Sequence, residues 1–177
     1  EYVESYIRSL FPPHEGILKE LEEYALEHNI PIVEREVAQL LKVLLKIHKP
    51  KRILEVGTAI GYSAILMASS TEDSCIIDTI ERNDDMVYIA RQNIKKAAYD
   101  HRIKVFYGEA QEILKYLKAK YDFIFLDAAK GQYLDFFSDC AKLLNIGGII
   151  ISDNVLYKGM VASDKLVVRR KKTIVNR

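Results

Sequence analysis

Two cysteines, four histidines in no common spacing, and no apolar run of about 18 residues remove several classes of protein at once. Cys75 and Cys140 are isolated, one in a strand pattern and one on an apolar helix face. They are expected to be reduced core residues of a cytoplasmic protein, not a bridge or a metal pair. His14, His28, His48 and His101 are scattered, which disfavours zinc. Without a long apolar run the chain is not expected to span a membrane, and with no basic, apolar leader before its first helix secretion is not expected either. Two phosphate-binding motifs are also absent. Neither G-x-G-x-x-G nor G-x-x-x-x-G-K-[ST] occurs, so neither a dinucleotide fingerprint nor a P-loop is supported.

What is present is a chain of 177 residues, 49% apolar and 29% charged, the size and balance of one well-cored globular domain. Its net charge is only +1, but it is unevenly spread. Between residues 157 and 177 stand seven basic residues (Lys158, Lys165, Arg169, Arg170, Lys171, Lys172, Arg177) against Asp164 alone, which leaves the rest of the chain net acidic. Such a block is a solvated helix face, an interaction surface, or a landing site for phosphates.

The first 50 residues read as helices. Phe11-Pro-Pro13 ends a short first segment, residues 15–27 place Ile17, Leu18, Leu21, Tyr24, Ala25 and Leu26 on helical spacing, and Val37, Leu40, Leu41, Leu44 and Leu45 mark an amphipathic helix that stops before Lys49-Pro50. This N-terminal helical cover, 1–50, is expected to shield a sheet edge, shape a pocket lid or mediate self-association. From 51 to 177 the pattern alternates. Strands are predicted at 52–56, 74–80, 103–107, 121–126 and 148–152, with helices at 61–69, 84–98, 109–118 and 131–144, and a last basic helix at 163–175. Short apolar strands joined by amphipathic crossovers predict an α/β fold, a mostly parallel sheet with helices on both faces, forming one domain with its cover. Ligands of such sheets bind beyond the carboxyl ends of the strands.

Arg52-Ile-Leu-Glu-Val-Gly-Thr-Ala-Ile-Gly-Tyr-Ser63 is a strand, a glycine turn and a helix start. Gly57 and Gly61 allow a sharp turn and close approach of a ligand, although Ala59 stands where another glycine would help. Glu55 is a carboxylate inside an apolar run. It either works in or beside a ligand pocket or is a strand-end surface charge. Glu81 follows the second strand about 20 residues after the turn, where an acidic residue accepts both ribose hydroxyls of an adenosine cofactor, or else favours a helix N-terminus. An adenosine cofactor without phosphates fits this pattern, and S-adenosylmethionine is the obvious one.

A second constellation closes two other strands. Asp127 ends Tyr121-Asp-Phe-Ile-Phe-Leu126, and Asp153 and Asn154 end Gly148-Ile-Ile-Ile-Ser152. At one sheet edge these supply two carboxylates and an amide oxygen, a donor set for a hard divalent cation such as Mg2+, with Ca2+ or Mn2+ as alternatives. Taken singly, Asp127 is as readily a turn or helix cap. Ala110, in Gly108-Glu109-Ala110, is small enough to approach an adenine or is simply a helix start. Lys130 and Tyr133 can face a substrate, though Tyr133 also suits a surface helix. Tyr62 and Ser63 either meet a cofactor carboxylate or begin an ordinary helix, and Asp84 and Asp85 cap or favour the start of the next one.

These residues resemble the cation-dependent S-adenosylmethionine O-methyltransferases, to which the caffeoyl-CoA and catechol methylating enzymes are related. The resemblance rests on Leu54-Glu-Val-Gly-Thr-Ala-Ile-Gly-Tyr-Ser63, on Phe125-Leu-Asp-Ala-Ala-Lys130 with Tyr133, and on Gly147-Gly148 leading to Asp153-Asn154. It implies a Rossmann-like class I methyltransferase fold, with Val33, Glu55, Gly57, Ser63, Glu81, Ala110 and Asp127 around the cofactor. It also implies Asp127, Asp153 and Asn154 as metal ligands, and Asp127, Lys130 and Tyr133 as the residues at the reacting groups. Plant members usually carry an acidic residue where Ala129 stands, which makes a CoA ester less assured as substrate. Residues 157–165 and 167–172 resemble the bacterial branch that methylates 5-hydroxyuridine at the tRNA wobble position to 5-methoxyuridine. That branch implies the tRNA anticodon loop as partner, with a small catechol or phenol as the alternative acceptor. The wider family implies a homodimer and a final antiparallel hairpin, so a further strand pair is expected after Arg177.

Overall fold

A computed structural model describes residues 2–127 and 133–155, apart from the side chains of Glu4, Tyr133, Leu134 and Asp135. Three helices come first: α1 (Tyr2–Ser9), α2 (Gly16–Glu27) and α3 (Arg35–His48). Strands and helices then alternate as β1 (Arg52–Val56), α4 (Tyr62–Ser69), β2 (Ile76–Glu81), α5 (Asp84–Lys96), β3 (Ile103–Tyr107), α6 (Ala110–Tyr116), β4 (Tyr121–Leu126), α7 (Tyr133–Leu143) and β5 (Leu144–Ser152). The sheet order is β3-β2-β1-β4-β5, and every pairing is parallel. This is the predicted Rossmann-like α/β fold. The expected helix at 163–175, and any hairpin beyond it, lie outside the described residues.

Alternation along the central strands explains why the sheet is covered on both faces. Ile53, Ile77, Phe123 and Phe125 pack into one cluster with Leu21 of α2, Leu41 and Leu45 of α3, Ile65 of α4 and Ala90 of α5. The intervening Leu54, Val56, Ile80, Ile124 and Leu126 pack into a second cluster with Leu114 of α6 and Phe136 and Cys140 of α7. A period of two in side-chain direction thus divides one apolar strand between two cores. Cys75 and Cys140 are both buried and free, as expected. Among the described residues no helix is long and apolar enough to cross a membrane.

The bounds of two strands differ from the sequence prediction. β5 begins at Leu144, four residues before the predicted start, because Gly147-Gly148 lies inside a bulge and not in a loop: Tyr121 pairs with Leu144, and the ladder then resumes at Phe123 and Ile149. β2 begins at Ile76, since Cys75 N–H closes a turn onto the Glu72 carbonyl at 2.9 Å, and it extends to include Glu81. The helices α4, α5 and α6 are each one to three residues shorter than predicted, which is end-fraying of the usual size.

At the end of the sheet away from these loops, Asp78 is 2% exposed and ties three strands together. It accepts from the Tyr121 hydroxyl at 2.8 Å and from Arg52 Nε and Nη2 at 3.1 and 2.8 Å. Asp78→Ala would leave a buried hydroxyl and a half-buried guanidinium without their acceptor. The expected loss is about 2–4 kcal/mol, read as a lower urea midpoint at unchanged slope.

Candidate active site

The carboxyl ends of β1, β2, β3, β4 and β5 open into a cavity of about 1050 Å³. That volume lies at the upper end of the range for small-molecule sites. Its lining includes Val33, Gly57, Glu81, Ala110, Asp127, Asp153 and Asn154, so seven of the sequence-predicted residues meet at one place. Lys130 lies outside the described residues, and the side chain of Tyr133 is not described.

The glycine turn is built by hydrogen bonds from both sides. Gly57 and Gly61 have φ of 103° and 87°, and Ala59 takes a left-handed φ of 46°, a conformation that costs an ordinary residue about 1 kcal/mol. Glu81 stabilises it. Its Oε2 accepts from the backbone N–H groups of Thr58 at 3.2 Å and Ala59 at 2.9 Å, and its Oε1 accepts from those of Arg82 and Asn83, each at 2.9 Å. The helix N-terminus itself is capped by Asn83, which accepts from Met86 N–H, while Asp84 and Asp85 occupy the first turn where a carboxylate is favoured. With four donors already on Glu81, an incoming diol must share or take over some of these acceptances.

Glu55 and Ser63 stand differently. Neither is among the lining residues: Glu55 is fully buried one residue back from the lining Val56, and Ser63 is 6% exposed. The surface-charge alternative for Glu55 is therefore excluded. Its Oε2 accepts from Thr79 Oγ1 at 2.6 Å, Thr79 in turn contacts Thr58 Oγ1 at 2.6 Å, and Oε1 has no hydrogen-bond partner among the described residues. Burial pushes the Glu55 carboxyl up to about 8; the Ser63 and Thr79 hydroxyls oppose that shift and the nearby Asp127 and Glu81 carboxylates add to it. Ser63 favours the charged form without completing a hydrogen bond to Oε1.

Tyr62 does not face the cavity, contrary to one sequence expectation. It is 2% exposed and turns toward α2, where its hydroxyl donates to Glu22 Oε1 at 2.8 Å. Phe136, Glu22 and, besides the expected Val33, the other residues of segment 29–35 also line the cavity and were not expected there from the sequence. The helical cover therefore shapes the pocket. Only its length and amphipathicity were visible signals, since no polar motif marks 29–35.

Asp127 and Asp153 leave neighbouring strands at the same level. Leu126 pairs with Ser152, Asp127 N–H donates to the Val56 carbonyl at 2.9 Å, and Asp153 N–H donates to the Leu126 carbonyl at 3.0 Å. Asn154 adopts a left-handed φ of 58°, tolerable for asparagine, and its N–H donates to Asp153 Oδ1 at 2.6 Å. Among the described residues no group of three or more His, Cys, Asp or Glu is suited to a metal. The donor chemistry at this edge is two carboxylates with an amide, which suits a hard cation and not zinc.

The comparisons place the chain by family and fold. A family model described as O-methyltransferase matches residues 9–177. The chain is 33% identical over 172 residues to a caffeoyl-CoA O-methyltransferase of Stellaria longipes, covering 92% of this chain and 71% of that relative. A solved chain from Staphylococcus aureus superposes with a TM-score of 0.90 at 35% identity, covering 99% of this chain and 85% of that one. A Bacillus cereus O-methyltransferase solved in complex with SAH gives a TM-score of 0.85 at 30% identity, with coverages of 99% and 82%.

The buried Glu55 has a measurable consequence in the ligand-free protein. Unfolded, its carboxyl ionises near the ordinary 4.5; folded, it holds its proton to about pH 8. The native state binds more protons across that window, so this residue's contribution to stability falls as pH rises from about 4.5 to about 8 and is level above it. Urea unfolding of wild type and Glu55→Gln at pH 5 and pH 8 should show the variant losing less stability between the two. Equal losses would show that Glu55 is ionised in the folded chain.

Proposed function

We propose, for a chain that belongs to the O-methyltransferase family and takes its methyl group from S-adenosylmethionine, that the acceptor is the 5-hydroxyl of 5-hydroxyuridine at the wobble position of tRNA. The product is 5-methoxyuridine. The observation that carries the chemical part of this reading is the single cavity in which Glu81, Ala110, Asp127, Asp153 and Asn154 meet. The tRNA part is supported by the basic residues Lys165, Arg169, Arg170, Lys171 and Lys172, which supply cations for phosphates around the anticodon loop while the pocket takes one unstacked base.

In this reading Glu81 receives the ribose hydroxyls, Ala110 leaves room for the adenine, and Val33 and Gly57 close around the donor. Glu55 and Ser63 support the turn from behind. Asp127, Asp153 and Asn154 would hold a divalent cation, Mg2+ or alternatively Ca2+ or Mn2+, which when bound supplies Lewis-acid polarisation of the acceptor's adjacent oxygens. By the family resemblance Lys130 and Tyr133 are assigned to the acceptor. The acceptor hydroxyl gives its proton to solvent, its oxygen forms the new bond to the methyl carbon as the sulfur–carbon bond breaks, and S-adenosylhomocysteine leaves. Segment 29–35 walls the cavity and limits access of water. Assembly as a homodimer belongs to the same proposal; Leu40, Val43 and Ile47 give α3 an exposed apolar stripe that such an assembly would cover.

A second reading, a small catechol or phenol as acceptor, is favoured by the relatives named for caffeoyl-CoA. The two share the cavity and differ in what it admits. With labelled S-adenosylmethionine and tRNA bearing 5-hydroxyuridine, transfer to the RNA is expected, lost with chelator and restored by Mg2+. RNA affinity should fall steeply with salt. Asp153→Ala should lower kcat/KM by about 100-fold or more. Methylation confined to a catechol run in parallel would transfer the assignment to the second reading, and activity undiminished after complete metal removal would refute the cation.

A further inference from the structure

A polar cluster on the far side of the glycine turn has no part in the chemistry above. It joins the loop before α2, the helices α2 and α3, and the first residue of α4. His14 Nδ1 lies 2.7 Å from Glu22 Oε1, and Lys42 Nζ lies 2.7 Å from His14 Nε2. The Tyr62 hydroxyl donates to Glu22 Oε1 at 2.8 Å and stands 3.1 Å from His14 Nδ1, while Arg35 Nη2 donates to Glu22 Oε2 at 2.8 Å. An ammonium has only donors, so Nε2 accepts from Lys42 and Nδ1 carries the proton toward Glu22. His14 and Glu22 are 13% and 14% exposed and Tyr62 is 2% exposed, so water competes little for these bonds. Burial alone would raise the Glu22 carboxyl, yet hydrogen bonds from Arg35, His14 and Tyr62 hold it below the ordinary carboxylate range.

The cluster touches the cavity at two places. Glu22 and Arg35 line it directly, and Arg35 is both the end of the wall segment 29–35 and the first residue of α3. That helix start has no side-chain cap on its N-cap residue Glu34; the Arg35–Glu22 pair ties it to α2, while Arg8 of α1 pairs with Glu34 and Glu36 on the same turn. Tyr62 follows Gly61 and begins α4, so the two ends of the glycine turn are each held by a carboxylate: Glu81 through Thr58 and Ala59, Glu22 through Tyr62.

We propose that Glu22 is a positioning residue for cofactor binding: with His14, Lys42 and Arg35 it latches segment 29–35 and the start of α4 into one geometry, so that the cavity is preformed before a ligand enters. This rests on reading the cavity as the S-adenosylmethionine site. Preformed walls spare the ligand the cost of ordering them, so loosening the latch at Tyr62, which does not line the cavity, weakens binding without removing a ligand contact.

The test uses the full chain and S-adenosylhomocysteine as probe, with Tyr62→Phe, Glu22→Gln and the double variant. Calorimetric Kd, ligand-free thermal midpoint and amide hydrogen exchange of 29–35 are compared with wild type. Each single substitution should raise Kd by about fivefold or more, with faster exchange in 29–35, and the double variant should be little worse than Glu22→Gln alone. A lowered midpoint with wild-type Kd and wild-type exchange in 29–35 overturns the proposal and leaves the cluster structural. Tyr62→Phe keeps the buried ring and decides the matter alone if Glu22→Gln does not fold. Ala110→Phe places a ring at the cavity wall and separates the two readings. Binding lost there but intact in the latch variants sinks the latch alone; binding unaffected by that ring sinks the cavity reading, and the latch with it.

Discussion

The cavity depends first on one carboxylate. Glu81 ends β2 and gathers four backbone N–H groups, two from the turn after β1 and two from its own following turn. Parallel strands leave their loops at one edge, but nothing in the ladder fixes how those loops lie. A single anion bonded to donors from two adjacent loops does so, and each such charge-assisted bond is stronger than its neutral counterpart. The same bonds hold Ala59 in a left-handed conformation that alanine does not choose for itself. The residue expected to receive a ribose is thus also the one that shapes the turn beneath it.

Behind that turn the chain keeps a second carboxylate under opposite conditions. Glu55 is buried, bonded to Thr79 on one oxygen and without a partner among the described residues on the other, an arrangement that costs on the order of 1–3 kcal/mol for a neutral group and more for a charged one. Two acidic residues a short way apart therefore differ in character because one collects backbone donors and the other is desolvated. A cationic sulfonium compound entering the cavity meets carboxylates at its wall and a further acidic group behind it. The N-terminal cover adds a third, Glu22, held charged by its hydrogen bonds.

The fold was legible because its signals are local and repeated. Apolar strands of about five residues at regular intervals, separated by amphipathic segments, have few solutions other than a doubly covered parallel sheet. The strand-end residues Gly57, Glu81, Ala110, Asp127, Asp153 and Asn154 were legible for the same reason, since in such sheets function sits where the strands stop. What the sequence did not disclose depends on tertiary packing. Tyr62 sits in the motif beside Ser63, yet it turns away toward His14 and Glu22, residues 48 and 40 positions distant. His48 is a further case, for it bonds the Asp122 carbonyl, 74 positions away. Of segment 29–35 only Val33 was expected at the cofactor, and the place of its other residues in the cavity wall follows from how α2 and α3 pack on α4.

The alignment of Asp127 with Asp153 is set far from either. Between Tyr121–Leu144 and Phe123–Ile149 the two strands advance by different numbers of residues, and the surplus on β5 is taken up around Gly147 and Gly148. Asn145 pins that bulge by donating to Asp122 Oδ1 at 2.8 Å, and Asp122 Oδ2 accepts from the N–H groups of Lys51 and Arg52 where β1 begins. A Cβ on Gly148 would lie 2.8 Å from the Leu144 side chain and 3.0 Å from the Asn145 carbonyl, so the bulge closes only with glycine there. Side chains alternate along a strand, and a slip of one residue would turn Asp153 to the opposite face and bring Asn154 level with Asp127. The bulge at one end of β5 therefore determines which oxygens meet at the other. Asn145 and Gly148 do not line the cavity, yet the pairing of the two carboxylates follows from them.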